Sequence, residues 1–344
     1  MREVIEFDLE ELDWRAAFTG LVGLLVALVF IIAFGPVGMA AGVAVLFVVG
    51  SDTDDSFGPD LAQVVLVVAG AIVTVAVGEA TSSTAAASIV LGAVALCSTL
   101  LVLLGPRWAG VGAYTLIWAV LSLTIGITDE SASAMGLAFG VGGLIALAVL
   151  WVSARIGSVE MPDGVAAVED STTPVSSEQA ARRRRALVLF SIVRALATSA
   201  AVVIGFEWFP DHAAWVVLTF VLVLRPPKEQ ITIVAAGRTL GTVIGVLFGM
   251  AAAQLVGDSL AAQLLAFSVA GFFMLATRDV NYALSTAFTT AMLLLSERIL
   301  HQDVYETGWE RLRATLVGVV IAFLVIGIMA ATAALWRPPS RDAA

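Results

Sequence analysis

The residues of this chain that could bind or react are mostly arginines and hydroxyls set among apolar neighbours. Arg238 and Thr242 stand one helical turn apart, in a stretch where Gly237, Gly241, Gly245 and Gly249 recur every fourth position. At about 1.5 Å per residue the four glycines mark roughly 18 Å of one helix face. Glycine is a poor helix former in water. Within lipid the backbone has no other partner, so the helix persists and a neighbouring helix can approach the bare face closely. Arg238 has two readings: an arginine that snorkels to the interface, or a cation at the mouth of a permeation path.

Arg311 and Arg313 open the last apolar run. Two residues apart on a helix is about 200°, so they cannot both face one path. One would face a cavity, and the other the headgroups or Glu310. An interfacial pairing of both with Glu306 and Glu310 is the alternative. Asn281, Ser285, Thr289 and Ser296 form a polar stripe at near-helical spacing, fit either to hold helices together or to line a path. Beside arginines, such donors with an apolar wall suit a carboxylate. Proton coupling needs a titratable group in the path. The candidates are Glu79, Glu297 and the group Glu207, Asp211 and His212, for most of which ordinary solvation at a helix end is the alternative.

The elements that carry these residues follow from composition. The chain is 60% hydrophobic and 13% charged, with a mean hydropathy of +0.98. A soluble domain carries about twice that charged fraction. The fold expected is all-α, a polytopic membrane protein whose first partner is the lipid bilayer. The net charge of −10 leaves no basic domain for nucleic acid. Cys97 is the single cysteine, no metal-ligand spacing occurs, and no nucleotide-binding or other cofactor motif is present. The Asp-rich stretch 52–60 lacks the remaining ligands of a calcium loop and reads as a solvated turn. No motif supports an enzyme.

Residues 1–14 read as an amphipathic segment on Ile5, Leu9 and Leu12. Apolar runs follow at about 15–34, 37–50, 61–78, 85–104, 108–127 and 134–154, each near the roughly 20 residues that cross the hydrocarbon core. Residues 157–185 read as a flexible cytoplasmic linker that ends in Arg182–Arg185. A second set of runs lies at about 186–206, 212–225, 232–256, 259–277, 281–299 and 311–336, and 337–344 is a tail. The expectation is therefore about twelve transmembrane helices: a bundle over 15–156 and another over 186–336. With the N-terminus inside, all but Arg298, Arg311 and Arg313 of the 18 basic residues fall on cytoplasmic segments or ends. Both termini are then cytoplasmic. Trp215 and six other tryptophans fall near expected helix ends, as an aromatic belt requires. Arg15-Ala16-Ala17-Phe18-Thr19 matches Arg194-Ala195-Leu196-Ala197-Thr198, and Pro36 matches Pro210, so the bundles read as two parallel six-helix repeats.

The stretch Gly237-Arg238-Thr239-Leu240-Gly241-Thr242 followed by Gly245 resembles the R-x-x-G-T-x-x-G signature of fusaric-acid-resistance-like membrane proteins, which include aromatic acid exporters. Trp215–Thr219, Arg225-Pro226-Pro227, Arg278–Ala283 and Trp309–Gly318 resemble that family's further segments, in order. The resemblance covers about residues 186–336. It implies a transporter of the bacterial inner membrane that moves small organic anions, aromatic carboxylates among them, outward on the proton gradient. Plant malate channels have a similar six-helix bundle, so a passive anion channel is a second expectation. A scaffold that binds a partner is a third, and a homo-oligomer is left open. Larger exporters of the family carry a cytoplasmic domain after the sixth helix, where this chain has only its linker.

Overall fold

The structure, a computed structural model, describes residues 14–51, 60–127, 131–156, 177–224, 231–277, 280–299 and 303–335. The amphipathic segment before Trp14, the Asp-rich stretch before Asp60, most of the linker, Pro226-Pro227 and the tail lie outside the described residues. Among the described residues there is no strand, and twelve α-helices follow one another. They are α1 (Trp14–Phe34), α2 (Pro36–Gly50), α3 (Leu61–Ala80), α4 (Thr84–Leu100), α5 (Pro106–Leu121), α6 (Ala132–Ile156), α7 (Ser177–Trp208), α8 (Ala213–Val223), α9 (Ile231–Val256), α10 (Leu260–Ala276), α11 (Tyr282–Ile299) and α12 (Val304–Leu335). Six spans within α3, α4, α6, α7, α9 and α12 are long and apolar enough to cross a membrane by length and composition.

The helix starts are written locally. Pro36 sits in the first turn of α2, where its missing N–H costs nothing, after Gly35 at φ 58°. Asp60 caps α3 with a reciprocal box to Gln63. Ser83 and Ser259 accept from Ala86 and Ala262 to cap α4 and α10.

Two starts differ from the apolar runs. α7 begins at Ser177, so the end of the expected linker, with the four arginines, is helical. α12 begins at Val304, not near 311, because Asp303 Oδ1 accepts from Tyr305 N at 2.8 Å and Glu306 N at 3.2 Å. Arg311 is therefore two turns inside its helix rather than at its opening.

In the first six helices α2 packs on α1 and α6, α3 on α5 and α6, and α4 on α5. In the second six α8 packs on α7 and α12, α9 on α11 and α12, and α10 on α11. The two sets meet where α4 lies on α7 and α10 lies on α1. Close approach is set by small residues in matching places. Gly142 of α6 lies on the backbone of Ala41 in α2, and Gly318 of α12 lies on that of Val216 in α8.

Helix α8 is apolar all round and buried at nearly every position, as a core helix must be. It contacts α5, α7, α9 and α12. The core of the second set forms around it, with Val216, Val217 and Phe220 against Ala314, Ile321 and Ala322 of α12.

Candidate functional site

The site grows from the seam between α9 and α11. The glycine ladder lies on α11 in parallel register: Gly237 meets Tyr282 and Ala283, Gly241 meets Ala283 and Thr286, Gly245 meets Ala287 and Thr290, and Gly249 meets Ala291 and Leu294. A Cβ on Gly245 would lie 2.6 Å from the Thr290 Cβ, and one on Gly249 would lie 3.1 Å from the Ala291 Cα. No side chain fits between these helices. On the same helix α9, Arg238 is only 5% exposed and its Nε has no hydrogen-bond partner. The structure thus buries Arg238, against the snorkelling reading. Thr242, one turn on, is fully buried with an unpartnered hydroxyl, and so is Thr290 on α11.

Helix α12 runs back against this pair. Gly308 meets Val246 and Met250 of α9 and Leu294 of α11. One turn further into the bundle is Arg311. It is 2% exposed and is the largest side chain among those fully buried. Nε, Nη1 and Nη2 of its guanidinium all lack a hydrogen-bond partner. The guanidinium carbon lies 3.9 Å from the centroid of the Trp215 ring on α8. A desolvated contact of this kind contributes about 2 kcal/mol, which does not replace hydrogen bonds. Arg238 and Glu297 lie within range for their charges to act on Arg311.

The arginines two residues apart separate as helix geometry requires. Arg313 is exposed, 2.8 Å from Glu310 in an ion pair and over the Trp309 ring at 5.4 Å. It lies outside the buried group.

The polar stripe of α11 also turns elsewhere. Ser285 donates to the Met274 carbonyl of α10 at 3.2 Å, Thr289 to the Ser285 carbonyl at 2.7 Å, and Asn281 caps Leu284 N at 3.0 Å. Ser285 and Thr289 thus bond to α10 and to their own helix, while Thr286 and Thr290 hold the face toward α9. Glu207 and Asp211 are exposed and His212 half-buried at the α7–α8 turn, so solvation accounts for them. The half-buried carboxylate near an arginine is Glu297.

Two residues that the sequence places at the membrane surface are buried within the protein. Trp215, expected in an aromatic belt, is 7% exposed and lies under the Arg311 guanidinium. Arg194, counted as a topology charge, is buried in α7. Its Nη1 donates to Thr99 Oγ1 of α4 at 3.2 Å and its Nη2 to the Val221 carbonyl of α8 at 3.1 Å. The signal for Arg194 was its place in the middle of an apolar run. For Trp215 the sequence held no signal beyond its type. No group of His, Cys, Asp and Glu among the described residues could hold a metal ion.

A polytopic helical protein with a buried, unpartnered guanidinium on an aromatic ring is what fold and site define. Residues 195–325 match the family model described as fusaric acid resistance protein-like. The resemblance read from the motifs holds for that segment, which contains Trp215, Arg238, Glu297 and Arg311. The chain is similar to the inner membrane protein YccS of Escherichia coli (strain K12), 30% identical over 115 residues. The match covers 33% of this chain and 16% of that relative. No solved structure matches the chain.

Proposed function

We propose that this protein carries small organic carboxylates, aromatic ones among them, across the bacterial inner membrane through its second bundle. The observation that carries the reading is Arg311: a cation buried among apolar side chains, with three nitrogens that lack a partner and an aromatic face beside it. Removing a charge from water is costly unless something pairs with it. A carboxylate would supply the missing acceptors to the guanidinium, and Trp215 an apolar surface for the body that carries it. Arg238 and the hydroxyls of Thr242 and Thr290 would continue the polar lining along α9.

The arrangement in the membrane is part of the proposal. All twelve helices would cross or enter the bilayer as two parallel six-helix repeats, with both termini in the cytoplasm and the linker between them. The pairing of helices supports it: shifting each of α1·α2, α2·α6, α3·α5, α3·α6 and α4·α7 by six gives another pairing of the structure. The last becomes α10·α1, as a two-fold arrangement requires.

The family resemblance supports outward movement driven by the proton gradient. A passive organic-anion channel is the second reading, supported by the fixed cations and hydroxyls of the lining. The test is flux of benzoate in liposomes of the purified chain, with protein-free vesicles alongside because weak acids leak. Accumulation against a gradient under a pH difference alone, with the membrane potential clamped, identifies a coupled carrier. Equilibration without accumulation identifies a channel, and flux no faster than in empty vesicles contradicts carboxylate transport.

A further inference from the structure

We propose that Glu297 sets the charge of the substrate, and that the site is built for monocarboxylates rather than dicarboxylates. This rests on the carboxylate reading above and narrows it. Helix register gives the order of the charges. Gly308 of α12 lies level with Leu294 of α11 and with Val246 and Met250 of α9. α12 runs antiparallel to the other two. Three residues beyond Gly308, Arg311 lies deeper in the bundle; three residues beyond Leu294, Glu297 lies toward the α11–α12 turn. The two backbones are thus offset by about 9 Å along the axis. Arg238, eight residues before Val246, lies on the far side of Arg311. From the turn inward the order is Glu297, Arg311, Arg238.

The charge count follows. Both arginines keep their charge in a protein. Glu297 as a carboxylate balances one of them, and the site is left with one positive charge uncompensated. Among the described residues, the other charged groups on the packed elements are paired, exposed or turned away from this seam. Arg298 pairs with Asp258 at 2.6 Å, Arg313 pairs with Glu310 at 2.8 Å, and Glu306 is exposed. Arg194 keeps its charge but reaches away from the α9–α11–α12 seam, to Thr99 of α4 and the Val221 carbonyl, and the described residues of α8 and α10 contain no charged side chain. A monocarboxylate makes the occupied site neutral. A dicarboxylate leaves it one charge negative, at a depth where an unbalanced charge is expensive. Glu297 therefore excludes the second carboxylate by occupying its charge.

The experiment compares two probes with the same ring, benzoate and phthalate, at a pH where phthalate is a dianion. Binding to the full purified chain is measured by calorimetry. The wild type should bind benzoate at least about tenfold more tightly than phthalate, a difference of about 1.4 kcal/mol. Glu297→Gln removes the competing charge and keeps the shape. It should bring the two affinities together or reverse them, while Glu297→Asp keeps the wild-type order. Trp215→Leu should weaken both probes and leave their ratio unchanged. Wild-type protein that binds both probes equally, or an unchanged ratio in Glu297→Gln, overturns the assignment; the wild-type ratio is decisive even where a variant does not fold. Protein that binds neither probe contradicts the carboxylate reading itself, a result distinct from loss of selectivity.

Discussion

The buried arginines Arg194 and Arg311 differ in their partners, and the partners tell what each residue does. Arg194 has two acceptors, one on α4 and one on α8, and joins three helices where the two sets meet. Arg311 has none. Removing a bonded, buried guanidinium costs packing and leaves the Val221 carbonyl and Thr99 without their donor, a loss of about 1–3 kcal/mol. Arg194→Leu should therefore lower the melting temperature of detergent-solubilised protein and leave benzoate affinity unchanged in what remains folded. A variant that melts like wild type but loses benzoate binding would move Arg194 into the site. At this scale the sequence was only partly legible. The 200° between Arg311 and Arg313 was enough to say that they diverge, and the structure turns Arg311 inward and Arg313 outward. Trp215 was misread because tryptophan suits both an interface and a core, and only the surroundings of α8 decide between them.

Among the elements, α9 and α11 meet most intimately, and the contact depends on an absent side chain. Gly245→Leu would push a side chain into Thr290 and the backbone of Ala287. Overpacking of this kind costs about 1–3 kcal/mol, and the variant should melt earlier than wild type. Gly327 of α12 has open space where a Cβ would stand, so Gly327→Leu is the control and should melt with the wild type. Equal melting of Gly245→Leu and wild type would show that the seam opens at little cost.

Helix existence was legible because apolar runs of membrane length have few alternatives. The start of α12 was not, since hydropathy hides a polar first turn, although Asp303 ahead of Glu306 was a readable cap. The α11 stripe was legible as polar but not in direction. Ser285 and Thr289 share a face that the chain gives to α10, while the small residues Ala283, Ala287 and Ala291 take the glycines. In the first six helices the α3–α5–α6 region is closed by Trp118 stacked on Phe139 at 4.5 Å, with Trp118 donating to Thr74 at 2.6 Å. Where the second set holds a cation, the first holds a filled core.

For the molecule as a whole, the proposal of two parallel repeats assigns a side of the membrane to every turn. With Cys97 replaced by serine, a cysteine at Ser176 should react from the cytoplasmic side and one at Asp258, in the α9–α10 turn, from the outside. Labelling of both from one side would contradict the three crossings, α7, α8 and α9, between them. The central claim is that a carboxylate meets Arg311 on its way through. The most direct test sets Arg311→Gln beside Arg313→Gln in benzoate-loaded liposomes, with incorporation checked to be equal. Arg313 shares an exposed ion pair, which contributes little, so its variant should carry benzoate within about twofold of wild type. Arg311→Gln should carry it at less than about a tenth of the wild-type rate, the loss expected when a charged partner is removed. Wild-type flux in Arg311→Gln would contradict the account, because the buried cation on which it rests would then play no part in transport.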